Sequence, residues 1–318
     1  MAVAEVVVEG VASKTMSRLL QIAFAFVCAL IISACASNTQ KTNDSVKKPA
    51  DRSAYTYTFA EKKLLYIIDQ QDRFFERIKS KSRMSRSDAL SIKSRLDSLW
   101  DEYLAQFPND VNALILNAKF LRATGDADTA YKRISEAERL NPKIAVIKQQ
   151  LANYEAEHGM PKEAYDNLKE AIALEPNVAI YHIQLADLLL FFREDFLKKQ
   201  IFTQEKIDKE MIASIANAAK LEPKNSKIQW KYARFFYDLG KPDWNIALAQ
   251  WENILQNFAP LNIDKQTALV NKARVLIELN QDQQAEEILK QINLKPLASD
   301  VKKLMSVIES AKNKNLKK

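Results

Sequence analysis

The chain is short of the residues that bend a backbone, with four glycines and nine prolines in 318 residues. An all-β fold needs a turn about every 8–12 residues, and this supply does not reach it. Cysteine is nearly absent: Cys28 and Cys35 both lie close to the start, so the body can carry neither a disulfide framework nor a Cys-based zinc site. Histidine is limited to His158 and His182; Glu155 lies one turn before His158, but one such pair falls short of a three-ligand metal site, and His182 has no acidic or histidine neighbour at helical spacing. No phosphate loop, Gly-rich dinucleotide turn or Gly-x-Ser-x-Gly elbow occurs. The acidic pairs Asp101-Glu102, Glu194-Asp195 and Glu286-Glu287 are neighbours that point different ways on a helix, which reads as solvated surface. Catalysis and a cofactor are not expected. What is abundant is apolar and charged side chains, 47% and 27%, the mixture of amphipathic helices.

The net charge of +7 is unevenly placed. Basic residues gather at the run Arg77, Lys79, Lys81, Arg83 and Arg86 and again in the lysine-rich tail after 301, leaving the body mildly acidic. A nucleic-acid groove needs Lys and Arg gathered on one structured face, so no nucleic-acid partner is expected. The two basic segments instead offer a contact for anionic lipid or polysaccharide, weighed against plain solvated charge.

Residues 19–32 form an apolar run, too short for a membrane span of roughly 20 residues. Arg18 precedes it and Ser33, Ala34 and Cys35 follow, the three-part layout of a signal peptide. Ile32-Ser33-Ala34-Cys35 resembles the lipobox of bacterial lipoproteins, which implies a diacylglycerol on the Cys35 thiol and cleavage just before it. Glu5 and Glu9 sit where such a signal has positive charge, so Met16 is the expected true start. Ala36 and Ser37 follow the cysteine with no Asp at the second position, which by the same resemblance points to the outer membrane, periplasmic face. Residues 35–56 lack apolar periodicity and read as a solvated tether.

Beyond the tether the sequence repeats. Ala118, Ala152 and Ala186 recur at 34 residues, as do Pro108, Pro142 and Pro176. Gly125 and Gly159, Ala130 and Ala164, Ala137 and Ala171, and Leu140 and Leu174 keep the same offset. Small alanines let two helices approach, glycine supplies the turn between them, and proline stops the second helix. The pattern resembles the tetratricopeptide-repeat (TPR) family, whose unit is an antiparallel helix pair. It predicts an all-α superhelical solenoid with repeats at 111–144, 145–178, 179–225, 226–263 and 266–297. Gly240 is expected in the turn column of repeat four, and Asn280 takes that place in repeat five. Repeat three carries an insertion near 192–204 containing Phe191, Phe192, Phe196 and Phe202, either folded back onto lengthened helices or presented as a docking patch. Met211 stands where a small alanine is expected, which puts the packing of that repeat in question. Helices over 59–79 and 87–107, with Leu64, Ile68 and Phe75 inward, form an N-terminal capping pair within 57–110. A helix over 300–312 within 298–318 closes the other end.

The TPR resemblance implies a concave groove lined by the first helices. Mapped by repeat position it takes Asn112, Ile115, Lys119 and Arg122, then Val146, Gln149 and Asn153, then Ile180, Ile183 and Asp187. Repeat four adds Lys227, Trp230, Arg234 and Tyr237, and repeat five Val270 and Arg274. Trp, Tyr and Arg are the types that dominate interface energies; the competing reading places Trp230 and Tyr237 in the core. The alternating Lys and Asn of chaperone-binding TPR clamps are missing. The expectation is a non-catalytic scaffold for protein partners in the cell envelope, similar to TPR lipoproteins that serve outer-membrane protein assembly, pilus secretin assembly or peptidoglycan-hydrolase recruitment. The alternative is an accessory subunit of an envelope enzyme.

Overall fold

A computed structural model describes residues 57–80 and 84–315. The signal segment with Cys28 and Cys35, the tether up to residue 56, Lys81 and Arg83 of the basic run, and the last three residues lie outside the described residues. Among the described residues there are fourteen α-helices and no strand. None of those helices is long and apolar enough to cross a membrane. The chain divides into two compact units, Met1–Gly159 and Met160–Lys318.

The first unit holds α1 (Phe59–Lys79), α2 (Arg86–Gln106), α3 (Val111–Ala123), α4 (Ala127–Leu140) and α5 (Ala145–Glu157), each packed on the next. The helix starts are set locally. Thr58 and Glu61 form a reciprocal capping box, with Glu61 N–H donating to Thr58 Oγ1 at 3.2 Å and Thr58 N–H to Glu61 Oε2 at 2.8 Å. Ser85, Asp110 and Asp126 cap the next three helices. The inward face of α1 differs from expectation. Ile67 and Phe74, one heptad apart, are its buried residues, while Leu64 and Phe75 flank that stripe and Ile68 is only half-buried. Around them Leu96, Trp100, Tyr103, Leu114, Phe120, Ile134 and Ile147 complete the core. Burying each of the aliphatic and phenylalanine side chains among them is worth about 1.5–3 kcal/mol.

The α3–α4 turn shows why glycine stands at 125. Its φ is +91°, its N–H bonds to the Arg122 carbonyl at 3.1 Å, and the N–H of Asp126 reaches back to Leu121 at 2.9 Å. This is a Schellman ending, which needs a left-handed residue. Ala118 and Ala130 are buried on the two helices it joins.

The second unit contains α6 (Pro161–Leu174), α7 (Ala179–Phe191), α8 (Arg193–Lys198), α9 (Gln204–Leu221), α10 (Ser226–Phe235), α11 (Trp244–Asn257), α12 (Asn262–Glu278), α13 (Asp282–Lys290) and α14 (Ala298–Asn315). The long helices again pack on their successors, α7 pairing with α9 across the short α8. The insertion folds back. Phe196 is fully buried and Phe202 nearly so, with ring centroids 4.9 Å apart and Phe202 lying 4.7 Å from Tyr165. Phe191 and Phe192 at the helix end stay partly exposed, edge to face at 4.8 Å. Met211 is fully buried opposite the alanine-bearing α7, so its volume is accommodated.

Three further turns refine the repeat reading. Asn280, with φ +59°, ends α12 in the same Schellman geometry as Gly125, its following Gln281 N–H bonding to Leu276 at 2.8 Å. Gln200 does the same after α8 at φ +54°, a position nothing in its residue type announces. Gly240 does not adopt positive φ. α10 tightens into a 3₁₀ turn over Phe236–Asp238, and the Gly240 N–H donates to Asp208 Oδ2 at 2.8 Å. An added Cβ there would meet that oxygen at 3.2 Å, so close approach explains this glycine. The first helix of repeat five starts at Asn262, one turn earlier than the period indicates.

Candidate partner-binding face

In the first unit, the mapped groove positions divide. Ile115 and Gln149 are buried and therefore belong to the core, while Asn112 and Lys119 are exposed and Asn153 is half-buried. Arg122 on α3 pairs with Glu157 at the end of α5. Burial lowers the guanidinium's pKa against the pull of Glu157, and burial likewise raises the Glu157 carboxyl against Arg122 and His158. A feature absent from the sequence reading adjoins this pair: Tyr131, Tyr154 and His158 stack at 4.0 and 3.7 Å. Tyr154 also donates to Asp128 at 3.2 Å. His158 Nδ1 lies 2.8 Å from the Tyr154 carbonyl. In the second unit, His182 is buried with Nε2 2.8 Å from the Pro176 carbonyl. Both histidines have structural partners, and among the described residues no cluster of three metal-ligating side chains forms.

The second unit gathers more of the mapped residues. Asp187 on α7 is buried and takes the ammonium of Lys231 from α10, a partner the repeat positions did not name. Burial still pushes the Asp187 carboxyl up, opposed by Lys231. Val270 is core. Trp230 and Tyr237 are half-buried, so each is both core and surface. Fully buried Trp251 of α11 holds them: Trp230 meets it edge to face at 5.5 Å, and Tyr237 stacks at 6.3 Å. Their polar ends are fixed too. The Trp230 indole N–H donates to the Phe258 carbonyl at 3.1 Å, and the Tyr237 hydroxyl to the Asn271 carbonyl at 3.0 Å.

On these braced rings lie two exposed arginines. Arg234 sits 5.6 Å from the Trp230 centroid and Arg274 4.3 Å from that of Tyr237, both within cation–π range. The sequence placed these four residues on one face by repeat arithmetic; the role of Trp251 required the fold, because it comes from a second helix. Trp230 and Phe258 also line a shallow cavity of about 770 Å³ with Lys224, Asn253, Asn257 and Asp264.

By sequence the chain matches no family model and no curated protein. Solved structures are similar to it in fold. Pseudomonas aeruginosa PilF aligns at 13% identity over 78% of this chain and 99% of its own, with a TM-score of 0.51. The Naa15/Naa10 complex bound to HypK aligns at 17% identity over 79% of this chain and 35% of that one, with a TM-score of 0.50. YrrB, described as a TPR protein with an unusual peptide-binding site, aligns at 15% identity over 67% and 97%, with a TM-score of 0.49. At these identities the likeness concerns fold, and the fold is an all-α TPR solenoid of stacked helix pairs.

Proposed function

We propose that this protein is a non-catalytic scaffold, anchored by lipid on Cys35 in the bacterial cell envelope, that holds a protein partner on the α10–α12 face. The observation that carries the reading is the pair of exposed guanidiniums, Arg234 and Arg274, laid on rings that Trp251 and two backbone carbonyls keep in place. Fixed aromatics carrying arginine bind at low ordering cost, and these residue types concentrate interface energy. Anchoring rests on the lipobox-like residues before Cys35 and on the polar tether that would let the helical body stand off from the bilayer. Two or more acyl chains hold stably, each buried CH₂ contributing about 0.8 kcal/mol. The outer membrane, by its periplasmic face, is the proposed location.

The experiment fractionates cells making the wild type or Cys35→Ala and identifies the proteins retained with the chain. The reading expects Cys35→Ala to leave the membrane pellet after a high-salt wash while still retaining a stoichiometric protein. A Cys35→Ala chain that stays membrane-bound contradicts the anchor. Turnover of an envelope substrate by the purified chain alone contradicts the scaffold.

A further inference from the structure

The partner's chemistry can be read from which charges on this face are already satisfied. Among the mapped groove residues one is acidic, Asp187, and it is buried and engaged by Lys231. The paired arginines of the fold are equally consumed: Arg73 by Asp69, Arg122 by Glu157, Arg133 by Asp101 and Arg193 by Asp208. Arg234 and Arg274 differ. Neither closes an ion pair with any described carboxylate. Two acids stand near Arg274: exposed Glu278, four residues further along α12, which forms no ion pair with it, and half-buried Asp238, whose carboxyl burial pushes up while Arg193 and Arg274 act against that rise.

A guanidinium held beside a ring by a cation–π contact, at 5.6 Å for Arg234 and 4.3 Å for Arg274, spends none of its N–H donors on a carboxylate. Those donors match a carboxylate in a two-point fork. Both arginines rest on rings braced by the one Trp251 side chain, so their donors are held by a shared rigid support. The two arginines thus offer open donors on a stretch of chain that is mildly acidic apart from its basic ends, which supplies local charge complementarity for an acidic ligand.

We infer that the α10–α12 face binds an acidic polypeptide segment, its Asp or Glu carboxylates forked by Arg234 and Arg274. The inference rests on the proposal that this face is the partner surface and adds the class of partner.

The test uses the full chain in detergent and fluorescein-labelled deca-glutamate, followed by anisotropy at low and at physiological salt. Deca-lysine and phosphatidylglycerol vesicles serve as comparison ligands. Saturable binding of deca-glutamate is expected, weakened about tenfold by Arg234→Ala and again by Arg274→Ala. Arg→Lys at both positions should also weaken it, because an ammonium keeps the charge and loses the fork. Arg139→Ala, an exposed arginine of the first unit, should leave affinity unchanged. Melting temperatures of all variants should match the wild type, since the changed side chains are exposed. Absence of deca-glutamate binding, or affinity indifferent to both arginines, overturns the inference. Arginine-dependent binding of the vesicles without the peptide overturns it in favour of a lipid surface. A photo-crosslinker at Lys227 separates the two levels. If it captures a protein from cells while deca-glutamate does not bind, the partner surface stands and its acidic chemistry falls.

Discussion

The carboxylate of Asp187 on α7 accepts the ammonium of Lys231 on α10, joining consecutive repeats through a pair whose acid is buried. Removing the base should therefore be worse than removing both. Lys231→Met is expected to cost about 3 kcal/mol, near the lower end for stranding a buried charge because Lys231 is partly exposed. Adding Asp187→Leu should recover most of that loss. The pH dependence has a definite sign. Burial raises the folded-state carboxyl, so ionisation of Asp187 opposes folding. Its contribution is most favourable below the unfolded carboxylate range and declines as pH rises through the folded value. Urea denaturation across that range should show a steeper decline in Lys231→Met than in the wild type. An equal slope would contradict the pairing.

The phenylalanines of the insertion are structural. Phe196→Ala and Phe202→Ala should each destabilise by about 3–5 kcal/mol, Phe196 at the upper end because it is fully enclosed. Denaturation midpoints check this. An unchanged midpoint for Phe196→Ala would return the insertion to the surface.

Much of this architecture was legible because TPR packing writes itself into small residues at fixed spacing. Ala118, Ala186 and Ala233 are all buried where two helices meet, and glycine or asparagine marks the reversals at 125 and 280. What escaped were features set by tertiary geometry. Gly240 is constrained by the Asp208 carboxylate from a distant helix, so its residue type alone misidentified the cause. Of the candidate face, Trp230, Arg234, Tyr237 and Arg274 followed from helix position. Lys231 and Trp251 did not, because each acts through a partner on another helix. Ile115, Gln149 and Val270 show the converse error: a first-helix position can turn inward as readily as toward a groove.

Gln200 offers a direct check on that lesson. It holds φ +54° without the freedom of glycine, a conformation that costs an ordinary L-residue about 1–2 kcal/mol. Gln200→Gly should stabilise the protein, by about 1 kcal/mol after glycine's own entropic cost in the unfolded chain. A lowered melting temperature would show that the glutamine side chain contributes more than its backbone costs.

At the C-terminal end, Glu286 of α13 bonds to Lys290 at 2.8 Å and to Lys312 of α14. These bonds hold its carboxyl down at about 2. A depressed acid stabilises above its unfolded value and loses that contribution as pH falls toward the folded one. The docking of α14 should therefore weaken between about pH 4.5 and 2. Carboxyl carbon shifts by NMR should give Glu286 a midpoint near 2, rising in Lys312→Met. A midpoint in the ordinary carboxylate range would remove the clamp.

If one face of the second unit holds a protein, a photo-crosslinking side chain placed on that face captures it in living cells. Placed at Lys227, exposed on α10, it should yield one discrete adduct containing a single partner, and the adduct should disappear when Arg234→Ala and Arg274→Ala are combined. Placed at Ile246, exposed on α11, it should yield none. Equal capture at both positions, or an adduct at Lys227 that survives loss of both arginines, would show that the α10–α12 face does not hold the partner.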